Sequence, residues 1–175
     1  MSATPSTQPP TDFDFIIGDW QVRHRRLNAR LQGCTDWTEF LGTSSTRKIL
    51  QGFGNVEDNV LQFPEGAVRA AAFRSFDPAT RQWAIWWLDH RGPHTLDVPV
   101  VGSFTGSVGT FLARDTLDGQ AIVVRFTWHA NPGGHPTWAQ AFSGDDGATW
   151  ETNWEMEFER LGAGEGQAPM LARAG

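Results

Sequence analysis

At 175 residues and a formal charge of −6, the chain suits one domain with a sizeable core and lacks a basic footprint. That speaks against nucleic acid as a partner, and against docking on anionic lipid membranes. Nine Trp, twelve Phe and no Tyr fit a core or a pocket walled by large rings.

A single cysteine, Cys34, excludes an intramolecular disulfide framework. The start is rich in Ser, Thr and Pro and does not read as a secretory signal. No run of residues approaches the apolar length of a membrane-spanning helix. The expectation is a soluble, cytoplasmic protein. Residues 1–11 and 162–175 read as disordered arms, because they hold too little apolar surface to offset ordering entropy. The folded unit is expected over residues 12–161.

Phe13 to Ile17 is predicted to form one helical turn that plugs an end of the structure. Gly18-Asp19-Trp20 then opens a strand to about Leu27. Trp37 to Leu50 reads as a long strand, with Trp37, Glu39, Leu41, Thr43 and Ser45 on one face and Phe40 and Gly42 on the other. Gly52 to Val60 reads as a turn or loop that leads into a short strand, Val60 to Phe63. Pro64-Glu65-Gly66 is a turn signal. Val68 to Phe76 follows as a strand, with Arg69, Ala71, Phe73 and Ser75 sharing a face. After the turn Asp77-Pro78-Ala79-Thr80 comes Gln82 to Asp89. This strand is apolar on both faces, so burial inside and outside is expected.

Arg91 to Pro99 reads as a loop. Val100 to Phe104 and Gly109 to Asp115 read as short strands, and Asp118-Gly119 as a hairpin turn. In the strand Ala121 to His129, Ile122, Val124, Phe126 and Trp128 face one way, and Val123, Arg125, Thr127 and His129 the other. The last two strands run from Trp138 to Arg160 around a tight turn. Trp150, Thr152, Trp154, Met156 and Phe158 alternate with Glu151, Asn153, Glu155, Glu157 and Glu159, giving an apolar and an acidic face. The turn between them, Ser143 to Trp150, resembles an Asp-box hairpin, a folding device in which the Asp and Ser tie the backbone. The sum is all-β: a single antiparallel barrel of about nine to ten strands with a short N-terminal helical turn.

FDFIIGDW, GNVEDNVL, FDPATRQWAIWW, LDVPVVGSF, VRFTW and the closing WAQAFSGDDGATWETNWEMEF together resemble a family of small bacterial proteins of unassigned function. That family is expected to form a calycin-like, or lipocalin-like, barrel. The resemblance spans nearly all of residues 12–160. It implies an internal cavity, and it carries no catalytic residues over.

No cofactor motif is present. The five histidines are scattered, although Asp89, His90 and His94 surround one loop, and His90 or His129 would serve as the single ligand by which some small barrels hold haem. No nucleophile elbow and no phosphate loop is found. The strongest candidates are polar groups on strands among large apolar residues. Arg125, Gln140, Asn153 and Glu39 are the candidate ligand contacts, with Trp87 and Trp138 as ring walls. Arg125 pairing with Glu39 or Glu155 is one arrangement considered. The expected function is binding of a small apolar or aromatic molecule within the barrel. The alternatives are a barrel enzyme of the cyclase, isomerase or hydratase type, haem binding, and a filled structural barrel. A homodimer stays open.

Overall fold

Alternation along each strand decides what the barrel encloses. In β1 (Gly18–Leu27) Trp20, Val22 and His24 are buried, while Gln21, Arg23 and Arg25 are exposed. In β2 (Trp37–Ile49) Phe40, Gly42, Ser44 and Thr46 point inward. The chain is described here by a computed structural model covering residues 8–162. Part of the expected N-terminal arm and nearly all of the C-terminal tail lie outside the described residues.

The remaining strands are β3 (Gly54–Phe63), β4 (Gly66–Asp77), β5 (Gln82–Asp89), β6 (Val100–Thr105), β7 (Val108–Leu117), β8 (Gln120–His129), β9 (Thr137–Ser143) and β10 (Glu151–Arg160). Each strand pairs antiparallel with the next, and β10 returns to β1, closing the ring. Closure gives every strand a neighbour on both sides, which matters for strands this rich in rings, although β5 meets β6 only over Trp83 to Ile85. The only helical segments among the described residues are two short 3-10 turns, Asp14–Ile16 and Leu50–Gly52.

The first of these turns closes one end. Phe13 and Ile16 are buried there beneath Trp83, Phe104, Phe111 and Trp128. Phe13 meets Trp83 and Phe104 edge-on at 5.0 and 4.9 Å between ring centroids. The indole of Trp20 donates to the carbonyl of Ile16 at 2.8 Å, and that of Trp83 to Asp12 at 3.0 Å. A smaller cluster of Phe40, Leu61, Val68 and Ala70 packs toward the other end with Phe63, Trp87 and Trp154.

Three features differ from the sequence expectation. Residues 54–60 are strand rather than loop. The pattern in β3 is inverted: Asn55, Glu57 and Asn59 face the interior, while Val56 and Val60 face outward. A search for an apolar inner face misses such a strand. Next, β5 is buried on its inner side only. Trp83 and Ile85 are buried, but Trp86 and Leu88 are half-covered on the outside, in a surface hollow shared with Phe73, Pro93 and Leu96. Finally, a β-bulge between Thr152 and Trp154 shifts the register of β10. One extra residue reverses the alternation. Trp154, Met156 and Phe158 face inward as expected, but Thr152 pairs with the outward Ala141, and Asn153 leaves the acidic face altogether.

The turn that resembles an Asp box is tied by its own side chains. The carboxylate of Asp145 accepts from the Thr149 amide at 2.8 Å and from its hydroxyl at 2.6 Å. Ser143 Oγ accepts from the Gly147 amide at 2.8 Å. These bonds hold the Asp145 carboxyl down to about 2.

Candidate functional site

Polar groups enter the barrel from β3 and β4. On β4 the inward series is Val68, Ala70, Ala72 and Arg74. Ala70 packs with Phe40 and Leu61, Ala72 leaves space, and the arginine ends the series. Asn55 lies directly opposite Arg74 across the β3–β4 ladder, and its side-chain oxygen accepts from Arg74 Nη1 at 2.7 Å. Arg74 Nη2 is ion-paired with Glu57 Oε2. The other carboxylate oxygen, Glu57 Oε1, accepts from Ser44 Oγ at 2.7 Å. The guanidinium carbon also sits 5.0 Å from the ring centroid of Phe13 and 5.3 Å from that of Trp128. A buried charge is tolerable only when paired and hydrogen-bonded, and this one is both.

Next to this network lies a cavity of about 90 Å³. Its apolar wall is Ile85, Trp87, Trp138, Trp154, Met156 and Phe158, and its polar wall includes Glu57, Asn59, Arg74, Trp128 and Gln140. Four buried N–H donors in this region have no hydrogen-bond partner among the described residues: Arg74 Nε, Asn59 Nδ2, Trp128 Nε1 and Asn153 Nδ2. Asn153 is wholly buried, and its oxygen accepts from Gln140 Nε2 at 2.8 Å, so the bulge residue braces a side chain that lines the cavity.

His24 stands behind Trp154 of the cavity wall. Its ring stacks on Phe40 at 4.7 Å between centroids, and its Nδ1 accepts from the Trp154 indole at 3.3 Å. Accepting at Nδ1 requires the neutral tautomer with its proton on Nε2. Burial agrees, pushing the imidazole down to about 4. At the same end Arg26 lies over the rings of Trp154 and Phe63, 5.0 and 5.5 Å from their centroids. Asp97, from the β5–β6 connection, borders the cavity, and its carboxyl is raised by burial and by the neighbouring Asp115 and Asp89.

Of the residues expected from the sequence, Trp87, Trp138 and Gln140 come together around the cavity, and Asn153 stands behind Gln140. Arg125 does not join them. It is on the opposite face of β8 from Val124 and Phe126, with its guanidinium 4.1 Å from the ring centroid of Trp150. The mixed face of Val123, Arg125 and Thr127 is the outer one. Glu39 is also exposed on the outside, and Glu155 pairs there with Arg25 at 3.2 Å rather than with Arg125. His90, His94 and His129 are exposed. No group of three or more His, Cys, Asp or Glu among the described residues is placed to hold a metal ion.

A larger hollow of about 750 Å³ lies where Arg23, Arg25, Glu39, Leu41, Glu155 and Glu157 meet. Its charges are solvated, and four of them are already matched: Arg23 with Glu157 and Arg25 with Glu155. Exposed pairs of that kind contribute little and recognise little. The smaller interior cavity has the more specific chemistry.

Sequence reasoning missed Glu57, Arg74, Asn55, Asn59 and His24. A signal existed for Arg74. Counting by twos from Val68 through Ala70 and Ala72 reaches it on the face of small residues. For β3 the signal was the outward valines, which only a partner strand makes readable.

No protein-family model matches this chain, and no curated protein matches it. The barrel therefore rests on its strand pairing, and function on the site itself.

Proposed function

We propose that the protein binds a small, largely apolar molecule inside the barrel. The observation that carries this reading is the cavity between Trp87, Trp138 and Trp154, which adjoins buried donors without partners. Ligand sites are mostly apolar hollows with a few placed polar groups, and the lumen has that composition. The barrel supplies a rigid wall, as a calycin-like binding protein would. Trp87, Trp138 and Trp154 are the proposed ring contacts, and Gln140, braced by Asn153, is a proposed polar contact. Arg125 and Glu39 have no part in it.

Acid–base catalysis has less support. Both oxygens of Glu57 are engaged, one by Arg74 and one by Ser44, so neither is free to take a proton. A barrel filled by its own rings fits less well with the space beside Ala72.

Native mass spectrometry of the purified full chain tests the reading. A small bound mass that is lost on denaturation is the expected result. The protein mass alone, with no change in Trp emission across a panel of small apolar compounds, contradicts it.

A further inference from the structure

Where Arg74, Asn59 and Trp128 line it, the cavity has a one-sided hydrogen-bonding balance; the carboxyl of Asp97 borders it elsewhere. Arg74 Nε, Asn59 Nδ2 and Trp128 Nε1 can only donate, and all three are buried without a partner among the described residues. The residues that carry them are at most 4 % exposed. The carboxylate of Glu57, the acceptor beside these donors, is spent on Arg74 and Ser44. An unmet buried donor costs free energy until an acceptor meets it.

The charge balance of the lumen leaves no free cation: Asp97 on the border adds a carboxyl, not a positive charge. Arg74 and Glu57 cancel, and His24, with Nδ1 accepting, is neutral. An anion entering this lumen would lose its hydration and find no uncompensated cation there. The free cation nearest the upper end, Arg26, is held over Trp154 and Phe63.

From these two balances we infer that the lumen selects a small neutral molecule bearing a carbonyl oxygen, such as a ketone, aldehyde, ester or amide, over both the matching carboxylate and the matching hydrocarbon. The oxygen lies toward Arg74, Asn59 and Trp128, and the apolar remainder lies against Trp87, Trp154 and Met156. A volume of about 90 Å³ equals that of roughly three liquid waters, so the part held inside is small. This inference rests on the lumen being a binding site at all, and the test separates the two.

The test is an NMR titration of the full chain, following the indole N–H signals of the tryptophans. The probes are butanone, 2-methyl-1-butene and propionate, which have equal heavy-atom counts. The indoles of Trp20, Trp83 and Trp150 already donate within the protein and act as internal references. Butanone is expected to shift the Trp128 indole signal saturably and to bind at least about tenfold more tightly than either other probe, the equivalent of one net hydrogen bond. Equal or tighter binding of propionate or of the alkene overturns the carbonyl inference while leaving the lumen as a site. No saturable shift with any probe overturns both. The near-isosteric variant Asn59→Leu, checked for fold by its amide spectrum, is expected to lower the preference of butanone over the alkene at least about threefold. An unchanged preference in a folded variant counts against the assigned donors.

Discussion

Arg74 and Glu57 form an ion pair enclosed by the barrel, with side chains 2 % and 4 % exposed. They come from adjacent strands whose small or outward-facing apolar residues leave the interior to them. Removing one partner of such a pair strands the other charge without water, at a cost of about 3–5 kcal/mol. Glu57→Ala is expected to lose stability on that scale in chemical denaturation. The double variant Glu57→Leu/Arg74→Met is expected to recover most of the loss, since no lone charge remains. A double variant as unstable as the single one would show that the hydrogen bonds to Asn55 and Ser44 dominate.

His24 gives stability a pH dependence of known sign. Its folded pKa is depressed from 6.5 to about 4. Between these values the unfolded chain takes up the proton first, so stability falls as pH falls from 6.5 toward 4. The loss is about 1.4 kcal/mol per pH unit, on the order of 3 kcal/mol across the window. Denaturation midpoints of the wild type and of His24→Phe, compared across that window, are expected to converge toward low pH. Parallel curves would mean that the imidazole is not protected from protonation.

Gly42 is required by the same ring and by the backbone of β3. A Cβ there would meet the carbonyl oxygen of Val60 at 2.6 Å and His24 Nε2 at 2.7 Å. Gly42→Ala is expected to cost about 1–3 kcal/mol. Removing the imidazole does not rescue it, because the Val60 contact is backbone and cannot swing away. Full rescue in a His24→Ala background would place the clash on the ring alone.

The closed end depends on Phe13. Its ring contacts Trp83, Phe104 and Trp128 edge-on and lies below the Arg74 guanidinium. Phe13→Ala is expected to cost about 3–5 kcal/mol in denaturation. A loss below about 1 kcal/mol would show that the segment before β1 is a loose flap rather than a plug.

The outer architecture was legible in the sequence because alternation and turn chemistry are local. Trp20, Val22 and His24 alternate with Gln21, Arg23 and Arg25, and Asp118-Gly119 takes the positive φ values of a tight hairpin turn, 50° and 82°. The site was less legible. The polar inner face of β3 depends on Arg74, which arrives from another strand. The bulge at Asn153 depends on how β10 pairs with β9. Arg125 sits on a face of mixed polarity, and composition alone does not say which side of the sheet that is. Its guanidinium rests on Trp150 of the neighbouring hairpin at the outer surface.

The most direct measurement is a crystal structure of the full chain grown with butanone. The expected result is ligand density between Trp87, Trp154 and Met156, with its oxygen about 3 Å from Arg74 Nε, Asn59 Nδ2 or Trp128 Nε1. Density in the outer hollow beside Arg25 and Glu39, with the interior closed by side chains, would contradict it.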